Sequence, residues 1–189
     1  IRKNSKLNND LKDIDTVRTS LADKTNLDNA LKGVDALIIA TGARPSIDLT
    51  GPLKVDAIGV YSQLESCKRM GIKRVILVSS LCTGKLLHPL NLFGLILIWK
   101  KIGENFLRKP EFDWTIVRPG GLKENEEIKG QNILYSKIDT QFEGSISRRL
   151  VAKCCVDALN NKNSINKTIE ITSSKDYSNI SFEKAMQII

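Results

Sequence analysis

The sequence predicts an α/β protein built on a doubly wound parallel sheet. Three observations carry this reading. Short apolar runs rich in Val and Ile alternate with longer stretches of helical periodicity. The runs are nearly continuous rather than alternating, as expected of strands covered on both faces. Each run also ends on small or polar residues, where bulky ones would block a ligand.

The elements follow in order. Thr25-x-x-Asp28 has the form of a capping box, Leu27, Ala30 and Leu31 then recur at helical spacing, and Gly33 closes the helix. Residues 34–40 (VDALIIA) form the first strand, ending in Thr41-Gly42, and residues 44–52 are a loop. Val55, Ile58, Tyr61, Leu64 and Cys67 mark the next helix, stopped by Gly71. The second strand is 74–79 (RVILVS), running into Ser79-Ser80, and a helix is expected over about 92–108. Residues 114–118 (WTIVR) make the third strand, halted by Pro119-Gly120-Gly121. The stretch 123–144 is polar and irregular, with a short strand over 132–135. Leu150, Val151, Cys154, Cys155, Ala158 and Leu159 stripe one helix face, with Ser145 or Ser147 as the cap. A strand over 168–172 (TIEIT) and a helix over 181–189 complete the chain. Strand, helix, strand, helix at this spacing is the pattern of right-handed βαβ units.

Composition narrows the function classes. At 189 residues the chain can bury a core without disulfides or a metal. Its formal charge of +8 comes from scattered Lys and Arg with few aromatics, which reads as solvated surface and argues against a nucleic-acid face. The longest apolar run, 90–99, is interrupted by Asn91 and Gly94 and falls short of the roughly 20 residues of a membrane span, so it reads as a buried or half-buried helix. The four cysteines and the single His88 show no metal-ligand spacing, so no metal is expected and the thiols read as reduced and buried. No nucleophile elbow and no P-loop occurs.

Taken singly, the residues at the strand ends carry two readings each. Gly42 lets a backbone approach a ligand, or makes a turn. Ser79 and Ser80 donate to a carbonyl or phosphate, or begin a loop. Lys100 reaches into the cleft, or runs its stem along apolar surface with its head in water.

Taken together, they say more. ALKGVDALIIATGARPS, VDAIGV, GIKRVILVSSL, FDWTIVRPGGL and GSISRRLVA, in that order, resemble the atypical, NmrA-like short-chain dehydrogenase/reductases, closest to their cyanobacterial and plastid NAD(P)-binding group. The resemblance runs from Ile1 to about Thr172. It implies a Rossmann-type core over 1–122 with a small C-terminal lobe, 123–189, packed on the same domain. It also implies that the first βα unit, with its glycine-rich phosphate loop, lies upstream of Ile1, so that the chain reads as a fragment expected to bind cofactor poorly by itself.

The resemblance assigns roles residue by residue. Arg2, beside Lys3, matches the basic residue that pairs with the 2′-phosphate, which favours NADP over NAD. Ser20 and Leu21 stand where Asp-Leu usually meets the adenine. Ala40, Thr41 and Gly42 match the strand end along the adenosine and pyrophosphate, and Ser79 and Ser80 the strand end facing the nicotinamide. Lys100 matches the lysine that holds the nicotinamide ribose, and Pro119, Gly120, Gly121 and Leu122 the segment that closes over the amide. One departure limits the analogy: Ile96 occupies the place, four residues before Lys100, where ordinary family members carry a catalytic tyrosine. Two functions therefore stand. One is an NADP-dependent oxidoreductase acting on an unknown small substrate, with Ser80 and Lys100 as its catalytic groups. The other is a non-catalytic NADP-binding redox sensor or assembly factor with a protein partner. The expected location is the cytoplasm, or the stroma of a plastid.

Overall fold

The computed structural model describes residues 1, 13–43, 48–123 and 130–189. Arg2 and Lys3 lie outside the described residues. Four parallel strands and one antiparallel strand make the main sheet, in the order β1 (Ala36–Ile39), β2 (Arg74–Val78), β3 (Asp113–Pro119), β7 (Lys167–Ser174), β5 (Asn132–Ser136). β5 is the antiparallel member and pairs with β7. Two further strands, β4 (Gly121–Lys123) and β6 (Ser145–Ser147), form a separate parallel pair.

Both faces of the main sheet are covered, which is why β1 and the interior of β2 are apolar without interruption. On one face Ile39, Val75, Leu77 and Ile116 pack with Leu31 of α1 (Lys24–Leu31), Val60, Leu64 and Cys67 of α2 (Val60–Met70), and Leu107 of α3 (Ile96–Leu107). On the other, Ile76, Val117, Ile169 and Ile171 meet Leu150, Val151, Cys154 and Ala158 of α4 (Arg148–Leu159). Phe182, Ala185 and Met186 of α5 (Phe182–Ile188) extend that second core. Each fully buried aliphatic side chain of this kind contributes about 1.5–3 kcal/mol. All four cysteines are free and buried.

Local chemistry sets the helix ends. α2 stops at Gly71, whose φ of 75° is left-handed, and the N–H of Ile72 reaches back to the Cys67 carbonyl. Ser147 caps α4 by accepting the Leu150 N–H, and Ser181 caps α5 by accepting that of Lys184.

Several expected boundaries move. α1 begins at Lys24 because Asp23, not Thr25, is the cap: its carboxylate accepts both the backbone N–H and the side-chain amide of Asn26. Asp28 instead holds Arg69. The helix expected from Val55 opens as a π-helical turn, Leu53–Gly59, and becomes α-helical only from Val60. α3 starts at Ile96 rather than near Leu92. Residues Pro89–Leu92 form a 3₁₀ turn, and Leu95 is left-handed at φ 57°, which breaks the helix before Ile96.

Candidate functional site

The carboxyl ends of β1, β2 and β3 lie side by side because the three strands are parallel neighbours. At the end of β1 a cavity of about 1040 Å³ opens on the edge of the sheet. Ser20, Leu21, Ala40, Thr41 and Gly42 all line it, so five residues drawn from two distant parts of the sequence converge on one wall. Ile1 and Val17 border it as well. These last two are joined in ladder fashion: the amino terminus of Ile1 donates to the Val17 carbonyl at 2.7 Å, and Thr19 N–H donates to the Ile1 carbonyl at 3.0 Å.

Lys100 is brought to the same strand end from α3. Its Nζ donates to Asp56 Oδ1 at 2.8 Å, and the other Asp56 oxygen accepts the Ala43 N–H at 3.2 Å. A β-carbon at Gly42 would lie 3.9 Å from Asp56 Oδ1 and 4.0 Å from Lys100 Nζ, so the glycine leaves a shallow cradle directly against the ion pair. Asp56 is buried in the π-helical turn, and α3 comes close enough to meet it because Gly103 has no side chain where the Asp56 carbonyl passes. Gln63 completes this corner by donating to the Gly59 carbonyl at 3.0 Å and to Thr41 Oγ1 at 3.4 Å. Neither Asp56 nor Gln63 was expected from the sequence; the paired glycines at 59 and 103 were the available signal of a close approach.

The second group of expected residues lies along the ends of β2 and β3, off the cavity wall. Ser79 N–H donates to the Val117 carbonyl at 2.8 Å and Leu81 N–H to the Pro119 carbonyl at 3.0 Å, which fixes the serine turn to the Pro119-Gly120 turn. The two serines have different jobs. Thr83 gives its hydroxyl proton to the Ser80 carbonyl at 2.6 Å, so in the 3.2 Å contact between Ser79 Oγ and Thr83 Oγ1 the serine is the donor. The Ser80 hydroxyl forms no hydrogen bond among the described residues. Gly120 has the Gly144 carbonyl 2.5 Å from where a β-carbon would stand, while Leu122 is exposed on β4.

An ion cluster underlies this turn. Arg118, one residue before Pro119, is fully buried and donates to both oxygens of buried Glu104 at 2.8 Å each. It also reaches Asp139 at 2.7 Å and buried Glu170 at 3.3 Å. Burial disfavours its charge, but the bonds to Glu104 and Asp139 outweigh that and raise its pKa above the usual guanidinium range.

A doubly wound sheet with a cavity and convergent polar groups at its strand ends is the architecture of a dinucleotide-binding protein. Residues 1–162 match the model of the NAD(P)H-binding family. The chain belongs to that family, within the atypical short-chain dehydrogenase/reductases. It is 37% identical over 185 residues to an uncharacterised chloroplastic protein of Arabidopsis thaliana, covering 85% of this chain and 65% of that one. It is 31% identical over 192 residues to sanguinarine reductase of Eschscholzia californica, covering 81% of this chain and 70% of that enzyme. Among solved structures, an NAD-dependent epimerase/dehydratase-like protein of Bacillus halodurans superposes with a TM-score of 0.78 at 28% identity, covering 92% of this chain and 77% of that one. The chain thus spans just under two thirds of the first of these relatives. No helix among the described residues is long and apolar enough to cross a membrane.

Proposed function

We propose that the chain is the greater part of an NADP-dependent oxidoreductase and that the cavity beside β1 takes the adenosine half of the dinucleotide. The observation that carries this is the convergence of Ser20, Leu21, Ala40, Thr41 and Gly42 on one cavity, with Lys100 held against Gly42. The residues fit the group. The wall is mostly apolar, with the hydroxyls of Thr19, Ser20 and Thr41 and the polar side chains of Asp15, Lys54 and Gln63 among its lining, and the glycine cradle beside an ammonium suits a ribose hydroxyl. The N-terminus of α1 does not serve the pyrophosphate, because the Asp23 carboxylate already occupies it. That supports a phosphate loop lying elsewhere in the whole protein, and weak dinucleotide binding by this chain alone.

Bound NADPH would supply hydride from its nicotinamide ring. Asp56 holds the Lys100 ammonium in place, Lys100 orients the ribose, and the free Ser80 hydroxyl donates to the substrate oxygen. Pro119, Gly120, Gly121 and Leu122 border the amide. Arg2, with Lys3, selects the 2′-phosphate.

A second reading, a non-catalytic NADP-binding sensor, is favoured by Ile96. The position of the missing tyrosine is packed against the small cluster of Leu81, Cys82 and Leu97. Tyr61 lies on α2, its ring tilted against Phe106 at 5.2 Å, and does not line the cavity. The chloroplastic relative is consistent with a plastid or cyanobacterial setting for either reading.

The test is a titration with NADPH and NADH, followed by fluorescence, on this chain and on one extended at its N-terminus by a strand and a glycine-rich turn. Binding by the extended chain, weakened by Arg2→Ala far more for NADPH than for NADH and about tenfold or more by Lys100→Ala, supports the proposal. Failure of both chains to bind either nucleotide refutes it. Binding without NADPH oxidation across a panel of carbonyl substrates favours the sensor.

A further inference from the structure

The loop between β2 and α3 is folded inside out. Over residues 85–95 the polar Asn91 is buried while apolar side chains face solvent: Leu87 is 96% exposed, Leu92 82%, Leu86 65% and Phe93 54%. This is an ordered surface. The Asn91 amide nitrogen donates to the carbonyls of Lys85 and Leu86 at 2.8 and 2.9 Å, and its oxygen accepts the Leu97 N–H at 3.0 Å, tying the loop to the first turn of α3. Gly94 seats the loop against the Leu49 carbonyl, adding exposed Leu49 to the same face. Lys85 Nζ stands 3.4 Å from the ring centre of exposed Phe142, which adds that side chain.

The charge along the loop's own stretch of sequence has one sign. No Asp or Glu occurs from Ser66 to Gly103, a stretch holding Lys85 and Lys101 on either side of the leucines. The Lys101 stem lies alongside Gly84 at the base of the loop. Of the acids next to the outlying members, Asp48 is engaged by Thr50 and Lys54, which leaves Glu143 beside Phe142.

Leucines standing this far out of the surface enclose no concave wall, so the face does not suit a small ligand. Apolar tips flanked by two lysines suit a planar medium that is apolar inside and anionic at its surface. We infer that the 85–95 loop docks the protein on an anionic lipid bilayer, with Leu87, Leu92 and Phe93 entering the interface and Lys85 and Lys101 meeting headgroups. The loop issues directly from Ser79-Ser80, so docking turns that end of the sheet toward the lipid. The inference stands apart from the proposed chemistry.

Co-sedimentation tests it, using vesicles of phosphatidylcholine alone or with about 30% phosphatidylglycerol. The wild-type chain is expected to pellet with the mixed vesicles and much less with the neutral ones. Leu87→Asp with Leu92→Asp, both at exposed positions, should lose about tenfold or more of that binding with unchanged thermal unfolding. Lys85→Glu with Lys101→Glu should weaken binding to the mixed vesicles only. Retention in the supernatant overturns the inference and leaves the face to a protein partner. Undiminished pelleting of the leucine variant overturns it too, leaving nonspecific charge attraction. A concentration-dependent dimer abolished by the leucine changes, without vesicle binding, assigns the face to a second copy.

Discussion

Arg118 and Glu104 meet through two parallel hydrogen bonds of 2.8 Å, and neither side chain is exposed. The pair joins β3 to α3 directly beneath the Pro119-Gly120 turn. Glu104 also accepts from Arg108 at 3.0 Å, and Glu170 accepts the N–H groups of Asp139, Thr140 and Gln141 at 2.8–3.0 Å. One buried cluster thus anchors a helix, two strands and a loop to one another.

Removing one partner breaks the two-bond pair and leaves a buried charge only partly compensated, by Asp139 and Glu170 for Arg118 or by Arg108 for Glu104. Glu104→Ala and Arg118→Ala are each expected to lower stability by about 3–5 kcal/mol. Urea unfolding followed by circular dichroism checks this. A loss under 1 kcal/mol for either variant would mean that water or a rearranged Asp139 replaces the missing group.

The Lys100–Asp56 pair makes a different prediction. Asp56 is almost fully buried and Lys100 is 14% exposed, so Lys100→Met strands the carboxylate and costs about 3 kcal/mol. Adding Asp56→Leu to that variant removes the stranded charge and should recover part of the loss. The double variant nonetheless remains defective in nucleotide binding if Lys100 holds the ribose. Strict additivity of the two single losses would show that the pair is not coupled.

How far the sequence was legible follows from these contacts. The sheet was readable because burial on two faces leaves a mark in the first two strands: Val75 and Leu77 face α2 and α3 while Ile76 faces α4, so successive positions are all apolar. The short strands β4 and β6 left no such mark, being three residues each, with β4 wholly exposed. The π-helical turn over 53–59 was hidden because two turns of apolar spacing do not distinguish it from an α-helix. Asp56 was hidden by its own chemistry: an acid among apolar residues reads as solvated until a lysine forty-four positions later is seen to meet it. The cavity-lining residues Ala40, Thr41 and Gly42 at the end of β1 were legible, whereas the different hydrogen bonding of Ser79 and Ser80 rests on Thr83, which the sequence does not single out.

Gly103 offers a test of the close approach that builds the site. A β-carbon there would overlap the Asp56 carbonyl and touch Val60 Cγ2 at 3.4 Å. The obstacle is backbone, which cannot swing aside as a side chain would. Gly103→Ala is therefore expected to destabilise by about 1–3 kcal/mol, despite the better helix propensity of alanine. It should also weaken nucleotide binding in parallel with Lys100→Ala, by moving Lys100 from Gly42. A gain in stability would show that α3 does not press on the π-helical turn.

The buried thiols predict a loss of stability in mild alkali. Burial pushes Cys67 up to about 12 and Cys155 up to about 11, and raises Cys154 well above the usual thiol value. Unfolded thiols ionise near 8.5, so above about pH 9 the unfolded chain has shed protons that the folded one retains. Stability is then fully present below the unfolded value and falls as pH rises toward 11 to 12, by up to about 1.4 kcal/mol per pH unit for each thiol. Tyr135, also raised by burial, adds to the fall only above about pH 10. The urea midpoint should accordingly hold steady from pH 7 to 8.5 and drop between 9 and 10, where the thiols act before tyrosine does. Cys155→Ala should flatten part of that drop while costing little at pH 7. A midpoint level through pH 10 would mean that the thiols ionise in the folded state and that the core around α4 admits water.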